Sequence, residues 1–283
     1  MIHIYCDGGL GNRLLSMFSA MYFAKKANGT FIIHWPANNW CGCNFTDIFS
    51  NNYNVTNFNI QFLDTNILNK CVLLIHESQI NHRAENKIII NGTLSQEDIV
   101  RLMAEESDAF YYGNCLHHSI DPNKLIDIIN GLALSEQVFV KTAEYNVSDC
   151  IGIHIRRTDY GKKPYLDDNQ LENEVRANID RKYFLCSDEK DVEMKFKKYD
   201  NVLLFEKKNY VEKFNAKAKW KSYIVDTDGR SFPFNVNRSK TSSIEAFCDM
   251  VLLSRTATRL NTSGSSFLKC ADLMSKTNIS KCR

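Results

Sequence analysis

The sequence predicts an α/β protein built from two Rossmann-like halves with parallel sheets. Short apolar runs rich in β-branched residues alternate with segments of helical periodicity along much of the chain. The 283 residues exceed the commonest size of a single domain, and a hydrophobic content of 44% is enough for substantial cores. The chain also opens with a strand, a glycine loop and a helix, as a Rossmann-like unit does. We therefore expect two domains, at residues 1–145 and 146–283.

The first predicted unit begins with a strand at 2–6 and a helix that starts near Leu14 and stops at Asn28-Gly29. The loop between them, Gly8-Gly9-Leu10-Gly11, lets the backbone approach a ligand closely, and free N–H groups at a helix start favour an anion. Its spacing is neither the dinucleotide fingerprint, Gly-x-Gly-x-x-Gly, nor a P-loop. The alternative is that these glycines only form a tight turn.

Shorter signals predict the rest of the N-terminal half. Apolar runs indicate strands at 31–35, 58–63, 71–75, 87–90 and 109–112. Helical patterns cover 97–105 and 134–144, and residues 44–49 indicate an irregular turn that packs two aromatic rings. The His117-His118 pair lies in a loop, where a structural role is more common than metal ligation.

The most informative stretch is a strand at 150–155 that ends in a polar cluster. His154 lies within it, and Arg156, Arg157, Thr158 and Asp159 follow. Ligands of open α/β sheets bind at the carboxyl ends of strands, and two guanidinium groups match the oxygens of a diphosphate. The cluster predicts a nucleotide or nucleotide-sugar site. The alternative is that both arginines only pair with surface carboxylates.

The alternation of strand and helix continues to the end of the chain. We predict strands at 182–186, 201–205 and 256–260, and helices at 170–179, 192–198 and 242–254. A capping box from Ser242 to Glu245 opens the last of these helices, whose apolar face is interrupted by Asp249. Ser265 and Ser266 precede a final helix and suit an anion. The basic segment 206–240 is either a lid or acceptor loop, or a solvated connection.

Composition excludes several classes of function. The net charge of +2 argues against a broad basic face for nucleic acid. The sequence shows no signal-peptide pattern and no run of about 18 apolar residues, so we expect a cytoplasmic protein without a membrane span. Ten cysteines scattered through a large chain are expected to be reduced. The Cys41-Gly42-Cys43 spacing is too tight for a usual zinc site, so no metal is predicted.

Together, four motifs resemble those of the fucosyltransferase superfamily, which includes α1,2-, α1,6- and protein O-fucosyltransferases and nodulation-type enzymes. The motifs are Gly8-Gly9-Leu10-Gly11-Asn12-Arg13, His154-Ile155-Arg156-Arg157-Thr158-Asp159, Tyr183-Phe184-Leu185-Cys186-Ser187-Asp188, and the stretch from Ile244 to Ser254 with Ser265-Ser266-Phe267. They span nearly the whole chain in the order of that superfamily. The resemblance implies a GT-B-like arrangement, with two Rossmann-like domains facing across a cleft. It also implies inverting transfer from GDP-fucose to a glycan or glycoconjugate acceptor, with no metal or other cofactor.

The resemblance also assigns roles to residues. Arg156 is expected to contact the β-phosphate, and Asn12 and Arg13 to reach across the cleft, so these three form the expected catalytic set. His154 is expected to contact the nucleoside, Asp249 the guanine edge and Ser266 the phosphate. The full expected donor-binding set is Gly9, Gly11, His154, Arg157, Asp159, Asp249, Ser265, Ser266 and Phe267.

Two points stay open in the sequence. In the α1,6 branch a carboxylate soon after the arginine pair is the base, whereas here that loop reads Tyr160-Gly161-Lys162-Lys163-Pro164, with Asp167 and Asp168 the nearest acids after it. The general base is therefore unassigned. Two other functions compete with fucosyl transfer, namely transfer of another nucleotide sugar on the same fold, and binding of a nucleotide or glycan without turnover.

Overall fold

The computed structural model describes residues 1–56, 73–76, 88–91, 95–105, 109–113, 116–117, 119–158, 166–225, 231–232, 234–260, 262 and 264–280. Within these ranges the chain forms two parallel sheets, a short antiparallel ribbon and a set of helices. The predicted mixed α/β class with parallel sheets is confirmed. The predicted strand at 58–63 and the site residue Asp159 lie outside the described residues.

The first sheet comes from the N-terminal half. Its strands are β1 (Ile2–Cys6), β2 (Phe31–His34), β3 (Val55–Thr56), β4 (Leu73–His76), β5 (Ile88–Asn91) and β6 (Ala109–Gly113). They are ordered β3-β2-β1-β6-β4-β5, and every neighbouring pair is parallel. Ile4 of β1 lies opposite Ile33 on one side and Tyr111 on the other. β1 is therefore central, and its carboxyl end opens in the middle of the sheet edge.

The second sheet comes from the C-terminal half. It contains β7 (Ile151–Ile155), β8 (Tyr183–Ser187), β9 (Val202–Leu204) and β12 (Thr258–Arg259), in the order β12-β7-β8-β9 and all parallel. The ribbon pairs β10 (Ile224–Val225) with β11 (Ser231–Phe232). The strand that carries the polar cluster, β7, is thus paired on both edges, and its residues from Gly152 to Ile155 are buried.

The helices follow the predicted order. They are α1 (Leu10–Lys26), α2 (Phe45–Ile48), α3 (Gln96–Glu105), α4 (Ile126–Asn130), α5 (Glu136–Ala143), α6 (Asp168–Ala177), α7 (Lys190–Phe196), α8 (Lys240–Arg255) and α9 (Ser266–Met274), with 3₁₀ turns at Pro122–Leu125 and Asn278–Ser280. Residues 44–49, predicted as an irregular turn, contain α2, which Asn44 and Asp47 stabilise as a capping box. None of the helices in the described ranges is long and apolar enough to cross a membrane.

Two helix starts differ from prediction. α1 begins at Leu10 rather than near Leu14, because Gly9 is its N-cap and Gly11 is already helical. α8 begins at Lys240 and is capped by Ser239, whose side chain accepts a hydrogen bond of 3.1 Å from the backbone N–H of Ser242. The predicted capping box at Ser242 is wrong. Its acid, Glu245, instead accepts backbone N–H bonds from Lys208 and Asn209.

One continuous core joins the two halves. Helices α1, α8 and α9 all contribute buried apolar side chains to it, including Phe18, Phe247 and Leu268. The Phe49 and Phe247 rings meet edge to face across the halves with centroids 5.2 Å apart. A second, smaller core lies against the second sheet around Ile153 and Phe196. Because α8 and α9 pack beside the first half, the boundary near residue 145 stays a prediction.

Candidate functional site

A cavity of about 800 Å³ lies where the carboxyl ends of β1 and β7 approach each other. Its lining comes from both halves of the chain, and its volume is in the range of small-molecule sites. Eight of the residues predicted for the site line it, namely Gly9, Gly11, Asn12, His154, Arg156, Asp249, Ser266 and Phe267. The structure therefore brings together residues that are up to 258 positions apart in the sequence (Gly9 to Phe267).

The floor of the cavity is formed by two helix starts that touch. A Cβ atom on Gly11 of α1 would lie only 2.7 Å from the backbone nitrogen of Phe267 and 2.9 Å from Oγ of Ser266 in α9. Only glycine allows this approach. Gly8 has φ of +81°, so it too occupies a conformation that favours glycine. The positive ends of both helices thus meet at one place, which suits a polyanion.

Arg13 lies behind the glycine loop and does not line the cavity. Its Nε donates to the carbonyl of Gly8 (2.7 Å), and its two Nη atoms donate to the Pro36 carbonyl and to Oδ1 of Asn38. The guanidinium lies over the Trp35 ring and is fully buried. The resemblance to the fucosyltransferase superfamily predicted that this side chain reaches across the cleft. Its donors instead hold the glycine loop in place.

The carboxyl end of β7 presents His154 to the cavity. Its ring stacks on Phe267 with centroids 4.4 Å apart, and its Nδ1 lies 3.4 Å from Oγ of Ser265. Burial, together with the charges of Arg156 and Lys207, lowers the pKa of His154 to about 3. The imidazole is therefore neutral, and it forms a stacked pair with Phe267 in the cavity wall. Ser265 caps α9 from below rather than lining the cavity.

The two arginines after β7 diverge. Arg156 lines the cavity, whereas the guanidinium of Arg157 pairs with Asp168 at the start of α6. Asp188, at the end of β8, accepts the backbone N–H of Arg157 at 2.8 Å and the hydroxyl of Thr158 at 2.7 Å. These bonds fix the turn after the strand. The surface-pairing alternative therefore describes Arg157, whereas Arg156 lies on the cavity wall.

Asp249 is held in a buried cluster that the sequence reasoning missed. Its Oδ2 accepts a 2.7 Å bond from Nζ of Lys207, which also contacts Glu193 of α7 and the carbonyl of Ser187. The Tyr210 hydroxyl donates to the other oxygen of Glu193 at 2.5 Å. Asp249, Lys207 and Glu193 are each buried. The other oxygen, Oδ1 of Asp249, is buried without a hydrogen-bond partner on a residue that lines the cavity.

The charges of this cluster shift its pKa values. Burial raises the pKa of Asp249 to about 7, although the Lys207 ammonium opposes the shift. Burial lowers the pKa of Lys207, but the carboxylates of Asp249 and Glu193 outweigh it, so the pKa ends above its ordinary value. Lys207 is therefore charged, and the two acids share one cation.

The segment 206–240 contributes to the site directly. Lys207, Asn209, Tyr210 and Val211 line the cavity, and Glu245 of α8 anchors the backbone of this part. Farther along, Phe234 meets Trp40 of the first half edge to face, with centroids 5.8 Å apart. Both rings line the cavity. The start of the segment is therefore a packed wall and not a solvated connection.

Cys41 and Cys43 are buried with their sulfur atoms 3.7 Å apart. Among the described residues there is no group of three or more His, Cys, Asp or Glu side chains that could hold a metal. A hydrogen bond from Cys43, with the nearby charge of Arg13, lowers the pKa of Cys41 to about 6 against the effect of burial. The seven cysteines within the described ranges are all buried thiols.

Several solved structures share this fold along almost the whole chain. Fucosyltransferase NodZ from Bradyrhizobium matches with a TM-score of 0.55 and 16% identity, over 96% of this chain and 92% of that one. POFUT1 in complex with GDP-fucose matches with a TM-score of 0.50 and 10% identity, over 99% and 95%. A variant of Arabidopsis thaliana FUT1 in complex with GDP matches with 0.50 and 11%, over 98% and 69%. No protein-family model matches the sequence, and no curated protein matches it significantly.

These likenesses confirm the resemblance drawn from the sequence motifs at the level of the fold. Identities of 10–16% between such chains carry the backbone arrangement and leave the chemistry to the residues of the site. The chain has a mixed α/β fold with parallel sheets, and this fold is that of the fucosyltransferases.

Proposed function

We propose that this protein is an inverting glycosyltransferase that transfers fucose from GDP-fucose to a hydroxyl group of a glycan acceptor. The observation that carries the proposal is Oδ1 of Asp249, a buried oxygen without a partner on the cavity wall. Leaving such a group unpaired costs about 1–3 kcal/mol, so the site favours a ligand that brings N–H donors. The Watson–Crick edge of guanine carries two adjacent donors, N1–H and the 2-amino group. This edge suits a carboxylate whose other oxygen is held by Lys207.

The remaining lining fits the other parts of GDP-fucose. The stacked rings of His154 and Phe267 give an aromatic surface for the nucleoside, since the imidazole is neutral and buried. Arg156 and Ser266, together with the first turns of α1 and α9, suit the diphosphate. In this arrangement the donor lies against the C-terminal half and the acceptor enters from the N-terminal half, as in a GT-B enzyme.

Arg156 would supply the main electrostatic contribution to the reaction. When the bond between C1 of the sugar and the β-phosphate oxygen breaks, negative charge develops on GDP. A guanidinium directed at that oxygen stabilises the transition state more than the ground state. The same charge can serve where other transferases use a divalent cation, so we propose that transfer needs no metal. Asn12, in the first turn of α1, faces the same cavity and is proposed to contact the reacting sugar or the diphosphate.

Ligand binding separates the competing functions. Calorimetry and thermal shift with GDP, UDP, GDP-fucose and GDP-mannose should show preference for GDP and GDP-fucose, because a ligand that binds only the folded state stabilises it. Release of GDP from GDP-fucose in the presence of a glycan mixture, with and without EDTA, then tests transfer and its metal independence. A preference for UDP would contradict the guanine assignment. Tight binding of GDP, with no release of GDP from GDP-fucose in the presence of any acceptor, would instead favour a non-catalytic nucleotide-binding protein.

A further inference from the structure

Under the proposed transfer, the acceptor hydroxyl must lose a proton, and neither Asp167 nor Asp168 is placed to take it. Asp167 caps α6 by accepting the backbone N–H of Gln170 at 2.9 Å. Asp168 pairs with the guanidinium of Arg157. Neither residue lines the cavity. Neither of these two acids is therefore placed to act as the base, and Asp159 lies outside the described residues.

Three carboxylate side chains line the cavity in the described part of the chain, and two of them, Asp188 and Asp249, belong to the C-terminal half. Asp249 is bonded to Lys207 and faces the proposed guanine pocket. Asp188 accepts two backbone N–H groups and the hydroxyl of Thr158, so it holds the turn after β7. The third is Asp7, whose side chain is 29% exposed, against 4% for that of Asp249. Asp7 is thus more accessible than Asp249, and among the described residues it is the carboxylate that lines the cavity from the N-terminal half.

Asp7 is also anchored on the cavity wall that the N-terminal half contributes. It directly follows β1, and its Oδ1 accepts the backbone N–H of Gly8 at 2.6 Å. The amide nitrogen of Asn38 lies 3.5 Å from the same oxygen, and the guanidinium of Arg13 lies 4.0 Å away. A catalytic carboxylate needs such anchoring, because its reach to the substrate must be reproducible within a fraction of an ångström.

We infer that Asp7 is the general base of the transfer reaction, an inference that rests on the proposed function. The proton of the acceptor O–H passes to the carboxylate of Asp7 as the acceptor oxygen forms its bond to C1 of the sugar. The bond from C1 to the β-phosphate oxygen breaks, and its electron pair stays on GDP. The base comes from the N-terminal half and the leaving-group charge meets Arg156 from the C-terminal half. Displacement with inversion requires this division between opposite sides of the sugar.

The neighbourhood of Asp7 fits an acceptor sugar. Trp40 and Phe234 line the same cavity, one from each half, and form an aromatic corner. Aromatic rings pack against the C–H faces of pyranose rings while leaving hydroxyl groups at the edge available for hydrogen bonding. A pyranoside seated against this corner would place a hydroxyl group within the part of the cavity that Asp7 lines.

The test compares Asp7→Asn and Asp7→Ala with wild type and with Asp167→Asn, a control that exchanges one helix-capping residue for another. Asparagine keeps the acceptor for the Gly8 N–H but is not a base. We expect kcat to fall about 10²- to 10⁴-fold in Asp7→Asn, with Kd for GDP within threefold of wild type. We also expect formate to restore part of the turnover of Asp7→Ala, which a purely structural role would not allow. Asp167→Asn should retain wild-type kcat.

Each contrary result has a distinct meaning. Turnover of Asp7→Asn within threefold of wild type overturns the inference, and loss of turnover in Asp159→Asn alone would transfer the role to that residue. A loss in Asp7→Ala that formate does not restore, together with a lower melting temperature, indicates a structural role and also overturns it. Absence of GDP binding by the wild-type protein overturns the proposed function and this inference together. GDP binding with full turnover of Asp7→Asn overturns the inference alone.

Discussion

The two sheet edges that face the cavity are built by different means. At the end of β1 the chain uses backbone: glycines, two touching helix starts, and a buried Arg13 whose donors are bound to carbonyl and amide oxygens of its own half. At the ends of β7 and β8 it uses charged side chains, with Asp249 bonded to Lys207 and Arg156 open to the cavity. The first edge defines a shape around one carboxylate, Asp7, and the second defines a pattern of charge.

This contrast shows that the type of a residue does not decide its role. Arg13, Arg156 and Arg157 all lie in the motifs that predict the site, yet the first braces a loop and the third pairs with Asp168. Of these three, Arg156 alone lines the cavity. An arginine whose donors are satisfied by protein oxygens acts in folding, since breaking such contacts leaves buried acceptors unpaired. An arginine on a cavity wall is available to an anion.

The largest effects are expected from substitutions of Arg156 and Arg13, which should affect turnover and stability respectively. Arg156→Ala should lower kcat for transfer by about 10³-fold or more, because it removes the charge proposed to stabilise the leaving group. Its melting temperature should stay near that of wild type. Arg13→Met keeps the packing on Trp35 but removes the donors to the carbonyl oxygens of Gly8 and Pro36, so unfolding should become easier by on the order of 3 kcal/mol. Steady-state kinetics and denaturant unfolding of both variants measure the two effects.

The opposite pattern would overturn the division of roles. If Arg13→Met kept its stability and lost turnover, Arg13 would act on substrate and the glycine loop would stand without it. If Arg156→Ala turned over normally, the leaving group would be stabilised by another residue. The conservative variant Arg156→Lys sharpens the result, because it keeps the charge and loses the forked geometry, and it should retain an intermediate rate.

Much of the fold could be predicted from the sequence, because alternation and β-branched runs mark strands such as β1, β7 and β8. The start of α1 could not, since glycines count against a helix in local propensity. Gly11 is helical because α9 packs against it, with a Cβ position 2.7 Å from the nitrogen of Phe267. That contact joins residues from opposite ends of the chain, and no local pattern encodes it.

The site residues also divide into those that the local sequence reveals and those that it does not. The polar cluster after β7 is visible in sequence because charge follows an apolar run. The partners of Asp249 are not, because Lys207 lies 42 residues before it and Glu193 lies a further 14 residues back. Neither belongs to a motif. A lysine in a basic segment resembles its exposed neighbours until the structure shows it buried between two acids. The feature that identifies Lys207 as part of the site is its burial. Burial of a loop residue depends on tertiary contacts, which the local sequence does not encode.

The second prediction therefore concerns Lys207. Lys207→Met removes the cation shared by Asp249 and Glu193, so it should destabilise the fold and weaken GDP binding, the latter about 10- to 100-fold. The double variant Lys207→Met with Glu193→Gln removes one acid as well and keeps the hydrogen bond from the Ser187 N–H. It should recover much of the stability without recovering GDP affinity. Thermal unfolding and calorimetry separate these two quantities.

A different result would reassign the cluster. If the double variant regained both stability and GDP affinity, Lys207 would matter only as a neutralising charge and not through its contact with Asp249. If Lys207→Met bound GDP as well as wild type does, Oδ1 of Asp249 would not be the atom that recognises guanine.

The smallest effect uses pH on the unmodified protein. Burial raises the pKa of Asp249 to about 7, so the carboxylate that accepts the guanine N–H donors is lost as the pH falls through that value. Affinity for GDP should therefore fall about tenfold per pH unit below 7 and level off above it. His154, with a pKa lowered to about 3 by burial, stays neutral across this range and adds no slope. Calorimetry from pH 5.5 to 8.5 measures the curve.

The unliganded protein should respond with the opposite sign, which separates binding from folding. A carboxyl group whose folded pKa lies above its unfolded value of 3.8 holds its proton more tightly in the folded state. The contribution of Asp249 to stability therefore falls as pH rises from about 4 to 7, while its contribution to GDP binding rises. Asp249→Asn should flatten both slopes in difference measurements against wild type. If GDP affinity shows no change across pH 7 in the wild-type protein, recognition does not depend on an ionised Asp249, and the guanine contact would have to be assigned to another wall of the cavity.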